Sequence, residues 1–162
     1  MFPIRTILLP TDFSAASAAA FQLACSLARD HGSRVLAIHV VPIPVAPYDM
    51  GGWVAVEPEG YREELLAKLR SLRPAAPEVA VEYRLADGDP PAEIVRIGRE
   101  TPCDLIVMGT HGRTGLARLA LGSVAEEVLR KAPCPVVTMK SVPPGAVRTA
   151  SPEAAAVADV AH

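Results

Sequence analysis

The sequence predicts an α/β layer fold with a parallel sheet, and two observations carry that prediction. Short apolar runs alternate along the chain with stretches of helical periodicity, the order expected of strands joined by right-handed crossover helices. The runs are also continuously apolar rather than alternating, as strands covered on both faces are.

Ile4 to Leu9 is the first such run, a buried strand closed by Pro10. Ser14 is placed to cap a following helix, whose inner stripe is Phe21, Ala24, Leu27 and Ala28 and whose stop is His31-Gly32. Val35 to Val41 is a second buried strand, ended by Pro42. Residues 42–59 hold four prolines and two glycines around Tyr48 and Trp53, and read as a long connection without regular pattern. Leu65, Leu69 and Leu72 mark a helix that Pro74 ends. Val79, Val81, Tyr83 and Leu85 alternate, which predicts a third strand nearer the sheet edge. Asp89 before Pro90 and Pro91 is a helix start, with Ile94 and Ile97 facing inward. Leu105 to Met108 is a fourth buried strand, a glycine-rich loop spans 109–115, a helix covers about 123–131, and Val136 to Met139 is a fifth strand. Residues 1–140 thus form one domain, and 141–162, rich in Ala and Pro and without an aromatic, read as a mobile tail.

Composition excludes several classes of function. The 162 residues are 50% hydrophobic, and sixteen Lys and Arg against eighteen Asp and Glu give a net charge of -2. That balance supplies no electrostatic drive toward nucleic acid or anionic membrane, and the apolar content argues against disorder. No transmembrane span is visible. Arg5 ahead of Ile7-Leu8-Leu9 imitates the start of a signal peptide, but Pro10-Thr11-Asp12 cuts the apolar run short, so a cytoplasmic location is expected. Cys25, Cys103 and Cys134 lie far apart with no CxxC pair, which argues against a disulfide framework or zinc knuckle and for small apolar fillers in a reducing compartment. His31, His39, His111 and His162 form no close ligand pair, so no metal site is expected.

The most informative segment is Gly109-Thr110-His111-Gly112-Arg113-Thr114-Gly115, which leads to Gly122-Ser123 and a helix. It leaves the carboxyl end of a buried strand, where open α/β sheets bind ligands. Gly109 and Gly112 let backbone approach a ligand closely. Ser123 opens a helix whose free N–H groups favour an anion. Together these describe a main-chain phosphate cradle with the Ser123 hydroxyl as an added donor. The competing reading is a plain turn, with Ser123-Val124-Ala125-Glu126 a capping box. Asp12, directly after the first strand, could accept hydrogen bonds from ribose hydroxyls or merely cap the first helix. Neither GxxxxGK[ST] nor a GxGxxG after the first strand occurs.

The spacing Gly109-x2-Gly112-x9-Gly122-Ser123 resembles the nucleotide-binding signature of the universal stress protein family. Ile7-Leu8-Leu9-Pro10-Thr11-Asp12-Phe13-Ser14 is similar to that family's first strand and turn, and Ala37-Ile38-His39-Val40-Val41 to its second strand. Gly88-Asp89-Pro90 resembles the start of its third helix, and Ala132-Pro133-Cys134-Pro135-Val136 the approach to its last strand. The resemblance covers about residues 4–140. It implies a three-layer sandwich with a five-stranded parallel sheet ordered 3-2-1-4-5, of the adenine nucleotide α-hydrolase-like type, binding ATP between strands 1 and 4. Carried over by position, Asp12 holds ribose while Pro10 and Thr11 shape its pocket. Val40 and Val41 meet the adenine edge by backbone, Met108 and Gly109 line base and ribose, and Gly112, Gly122, Ser123 and Val124 hold the phosphates. The complete glycine pattern resembles that of the family's nucleotide binders. Arg113 could add charge to the phosphates or stay solvated, and His111 reads as a solvated loop residue rather than a base.

Three functions are consistent with these residues. The first is an ATP-binding regulatory or protective stress-response protein with slow or no hydrolysis, because phosphoryl transfer needs an oriented nucleophile and a carboxylate-held metal, whereas only Asp12 is placed in the pocket. Mg²⁺, if present, would be held through the phosphates. The second is an ATP-consuming enzyme, an ATPase or adenylating enzyme, on a related fold. The third is an interaction module with an empty pocket. The last strand, Val136 to Met139, is apolar; at a sheet edge it would call for cover, and together with the family resemblance this implies a homodimer.

Overall fold

The computed structural model describes residues 3–42, 45–48, 52–55, 58–110 and 121–140. Strand β1 (Thr6–Pro10) is buried along its whole length. It pairs in parallel with β2 (Arg34–Val41), Ile7 opposite Val35, and with β6 (Leu105–Gly109), Ile7 opposite Leu105. The outer strands are β5 (Val81–Asp87), parallel to β2, and β7 (Val136–Met139), parallel to β6. The sheet order is β5-β2-β1-β6-β7, which counted along the sheet's own strands is 3-2-1-4-5. The alternating third strand does lie at an edge, the continuously apolar first, second and fourth lie inside, and the short last strand forms the other edge.

Each strand feeds two cores because its side chains point alternately to opposite faces. Ile7 and Leu9 pack with Phe21, Ala24 and Ala28 of helix α1 (Ala15–His31) and Leu69 of helix α2 (Tyr61–Arg70). Leu8 packs on the other face with Ile94 and Ile97 of α3 (Pro90–Glu100) and Ala125 and Val128 of α4 (Ser123–Lys131). The result is three layers. Ser14 caps α1 by accepting from the Ser17 amide, and Gly32, at φ 65, ends it in the left-handed conformation that suits glycine. Asp89 caps α3, with Pro90 and Pro91 in its first turn where no intrahelical N–H is needed.

Two expectations change. Residues 42–59 are not patternless: β3 (Val45–Tyr48) and β4 (Gly52–Ala55) form an antiparallel ribbon, with Val45 opposite Ala55. Pro47 sits inside it, which a two-stranded ribbon permits because each strand has an outward side where no N–H is required. The cysteines are not all isolated fillers either. Cys25 is buried, and burial pushes its thiol up to about 11, but Cys103 and Cys134 are half-buried with their Sγ atoms 3.3 Å apart. The tail expected over 141–162 lies outside the described residues.

Asp104 ties the foot of β6 to the foot of β1. Its Oδ2 accepts from the amides of Arg5 (2.8 Å) and Thr6 (3.0 Å), and these bonds hold its carboxyl below the usual carboxylate range. A depressed folded-state pKa contributes stability that is present above the unfolded value and lost as pH falls through the folded one. Asp104→Ala should therefore cost about 1–2 kcal/mol at neutral pH, with the difference from the parent chain vanishing well below pH ~4. Thermal melts of both chains over an acid series check this.

Candidate functional site

Where β1 ends, the sheet connections diverge: β2 lies on one side and β6 on the other. Such a reversal opens a crevice at the carboxyl ends of the strands. It holds a cavity of about 240 Å³ lined by Pro10, Thr11, Asp12 and Ser17 from β1 and α1, Ile38, His39 and Val40 from β2, and Pro90 and Ile94 from α3. Met108, Gly109, Thr110, Gly122, Ser123, Val124 and Ala125 complete it from β6 and α4.

The turn from β1 into α1 is fixed by its own hydrogen bonds. The Thr11 amide donates to Ile38 O (2.9 Å), and Thr11 Oγ1 donates to the buried Ser17 Oγ (3.0 Å) while accepting from the Phe13 amide (3.1 Å). Asp12 Oδ1 accepts from the Ser14 amide (3.0 Å). Asp12 therefore braces the turn, while Ser14 is the cap of α1. A carboxylate has about four acceptor sites, so this one bond leaves capacity for hydroxyls of a ligand. Phe13 adopts φ 64, a conformation costly for an aromatic residue. Contacts hold it there: its ring lies 4.5 Å from that of His39, and Lys68 Nζ sits 4.4 Å over it. His39 in turn bonds the Thr11 carbonyl through Nδ1 at 2.7 Å, which places the proton on Nδ1.

The opposite wall is the start of α4. Its cap is Gly122, at φ -63 and ψ 148, and no side chain caps it. This corrects the capping-box reading: Ser123 is the first helical residue rather than the cap, and its hydroxyl does not close the helix end. Among the described residues, the opening amides of a nine-residue helix thus meet the cavity without a side-chain cap. Both ends of the glycine-rich loop are tied down beside it. The Gly122 amide donates to Thr110 O (2.7 Å), and the Thr110 amide donates to Met139 O (2.8 Å).

Of the twelve residues singled out from sequence, nine line this one cavity: Pro10, Thr11, Asp12, Val40, Met108, Gly109, Gly122, Ser123 and Val124. Val41 is buried beside them, and its carbonyl accepts from the Gly88 amide (3.0 Å); it is not part of the lining. Gly112 and Arg113 lie outside the described residues. Gly109 serves packing as well as the cavity, because a Cβ there would meet Ala16 Cβ and the Ser17 amide nitrogen at 3.0 Å each. Sequence reasoning missed Ser17, His39, Thr110 and the apolar pair Ile38 and Ile94. His39 carried a signal as the one polar residue inside an apolar strand, and Thr110 as a member of the glycine-rich loop.

Chemically the lining divides in three. Ile38, Val40, Ile94 and Met108 make an apolar slot, Asp12 supplies the only carboxylate among the described residues, and the helix start supplies amides. No lysine or arginine lines the cavity among the described residues.

The universal stress protein family is matched over residues 3–140. The chain belongs to that family. A universal stress protein of Methanocaldococcus jannaschii is 38% identical over 141 residues, spanning 84% of this chain and 82% of its own. Among solved structures, a universal stress protein from Archaeoglobus fulgidus in complex with dAMP superposes with a TM-score of 0.58 at 24% identity, over 86% of this chain and 100% of that one. A universal stress protein in complex with cAMP gives a TM-score of 0.64 at 23% identity, over 86% and 99%. These likenesses carry the fold alone, a five-stranded parallel sheet with helices on both faces. Among the described residues, no helix is long and apolar enough to cross a membrane.

Proposed function

We propose that this universal stress protein binds an adenine nucleotide, ATP, in the β1–β6 crevice and acts as a regulatory or protective factor in a stress response. The observation that carries the reading is the α4 N-terminus, without a side-chain cap, facing a cavity whose other wall presents Asp12. The apolar slot suits a base, the Asp12 carboxylate suits ribose hydroxyls, and the opening amides of α4 with Gly122 suit phosphate oxygens. At about 240 Å³ the cavity falls just below the ~300–1,000 Å³ of common ligand sites, which matches a nucleoside held inside with its phosphates leaving along α4. Two family structures hold adenine nucleotides, which supports the same choice here. Gly112 and Arg113 belong to the proposed phosphate site by their family positions.

Turnover is slow or absent in this reading. Mg²⁺ would be held through the phosphates, because Asp12 is the sole carboxylate in the lining among the described residues. Nucleotide binding then acts by stabilising one conformation and its partners, not by consumption. We place the chain in the cytoplasm as a homodimer, with residues 1–140 as the working unit. Among the described residues β7 is the terminal strand of the sheet, and pairing with its twofold mate would cover it. Light scattering at micromolar concentration should give twice the chain mass, and a monomer mass contradicts the dimer.

Mass analysis of small molecules released by denaturing the purified protein tests the ligand. An adenine nucleotide is expected, and its absence together with no binding on titration favours an empty interaction module. Asp12→Ala should weaken binding about tenfold through loss of ribose hydrogen bonds to a charged acceptor. A fast, metal-dependent ATPase rate abolished by that substitution, or a product formed from ATP and a second substrate, favours the enzyme reading instead.

A further inference from the structure

Cys103 and Cys134 lie on the opposite end of the sheet from the cavity. Cys103 precedes β6 by two residues and Cys134 precedes β7 by two, and these strands are parallel neighbours with Ile106 opposite Val136. The fold therefore brings together two thiols that are 31 residues apart in sequence, Sγ to Sγ at 3.3 Å. Cys25 cannot join them: it packs in the core on the α1 face of the sheet, and they pack against the core on the α3–α4 face.

The surroundings hold the pair in place. Pro133 and Pro135 flank Cys134 and fix the backbone dihedrals on either side of it. Pro133 and Cys103 Sγ both lie 3.4 Å from where a Cβ on Gly98 would sit, so α3 packs closely over the site at this residue. The Cys103 thiol donates to the Gly98 carbonyl at 3.4 Å, which leaves Cys134 as the donor between the two sulfurs. Removing the Cys103 proton thus leaves a sulfur that already accepts a hydrogen bond, and Cys103 is the thiol disposed to react first.

We propose that Cys103 and Cys134 form a reversible intramolecular disulfide on exposure to a low-molecular-weight disulfide, stapling β6 to β7 at the foot of the nucleotide half of the fold. Cys103 loses its proton to solvent and attacks one sulfur of the reagent, expelling one reagent thiol and leaving a mixed disulfide on Cys103. Cys134 then loses its proton and attacks the Cys103 sulfur, expelling the second reagent thiol. Two electrons pass from the protein thiols to the reagent. The sulfurs close from 3.3 Å to the ~2.05 Å of a disulfide, a movement within reach of side-chain rotation. Burial raises both thiols, Cys134 to about 12, so the exchange is slow at neutral pH and records sustained rather than brief oxidation.

The ring so closed runs from Cys103 to Cys134 and contains Met108, Gly109, Gly122 and Ser123. It leaves the mouth of the cavity unobstructed, since the staple and the crevice lie at opposite strand ends. Oxidation would stiffen the proposed phosphate-binding segment without blocking it.

The test uses the reduced full chain without nucleotide, so its outcome is independent of the ligand assignment above. After incubation with excess oxidised glutathione, alkylation under denaturing conditions should find one remaining thiol, Cys25. Peptide mapping should recover Cys103 linked to Cys134 within one chain, with no retained glutathione. The melting temperature should rise by about 10 °C and return on reduction, as expected for closing a ring of this length. Cys25→Ala should preserve the link and the shift, and Cys103→Ser and Cys134→Ser should each abolish both. Stable glutathione adducts, a link between two chains, three thiols still free after prolonged exposure, or a link with no change in melting temperature would each overturn the proposal.

Discussion

Gly122→Val is expected to abolish nucleotide binding while leaving the protein folded. Gly122 caps α4 with φ -63 and ψ 148, an extended conformation that a β-branched residue adopts readily. Its place in the cap is therefore open to valine, at a cost in helix stability of about 1 kcal/mol or less. The new side chain would stand at the cavity wall beside the first amides of the helix, where phosphate oxygens must come. Losing roughly two charge-assisted hydrogen bonds removes about 3 kcal/mol of binding, or more than a hundredfold in Kd. Calorimetric titration with ATP beside a thermal melt checks both halves. A variant that binds as tightly as the parent shows that the helix start does not hold the phosphates.

Gly109→Val should do the reverse, damaging the fold first. A Cβ at residue 109 would meet Ala16 Cβ and the Ser17 amide nitrogen at 3.0 Å, and the Ala16 carbonyl carbon at 3.1 Å. Two of those three are helix backbone, which cannot rotate aside. Helix α1 lies this close because alanines line its buried face: Ala16, Ala20, Ala24 and Ala28. Forcing α1 off the sheet costs about 2–3 kcal/mol by the usual penalty for overpacking, a drop of roughly 5–10 °C in Tm. Ala16→Gly combined with Gly109→Val should restore only part of the loss, because the Ser17 amide remains in the way. Thermal melts of the two single variants and the double settle the point. Full recovery in the double would place the whole clash on the Ala16 methyl.

The contrast between these two glycines shows where the sequence was legible. Both follow or precede a strand or helix in a glycine-rich stretch, and both suggest room for a ligand. Only the approach of α1, set by residues some ninety positions earlier, gives Gly109 its second duty. Local chemistry was readable. Asp89-Pro90-Pro91 announces a helix start because proline belongs where no amide bond is needed, and His31-Gly32 announces a stop because the chain must turn left-handed there. The continuous apolarity of Leu8-Leu9 and Leu36-Ala37-Ile38 told of a sheet covered on both faces, since each strand serves two cores.

What depended on geometry was not readable. Ser123 has the composition of a cap, yet the residue with extended backbone dihedrals is Gly122, so the cap falls one residue earlier and the helix end stays open. Val41 has the same composition as Val40, but the cavity's edge falls between them. Pro47 concealed the ribbon of β3 and β4, because proline counts against a strand except where one side of it needs no donor. The Cys103–Cys134 contact arises only once β6 and β7 become parallel neighbours, and spacing along the chain gives no hint of it.

Titrating adenosine, AMP and ATP in turn into the nucleotide-free protein bears most directly on the site. If unpaired amides at the head of α4 grip the phosphates, affinity should climb with each added phosphate, with ATP more than tenfold tighter than adenosine. Equal affinity for all three, or a preference for the bare nucleoside, would contradict that arrangement.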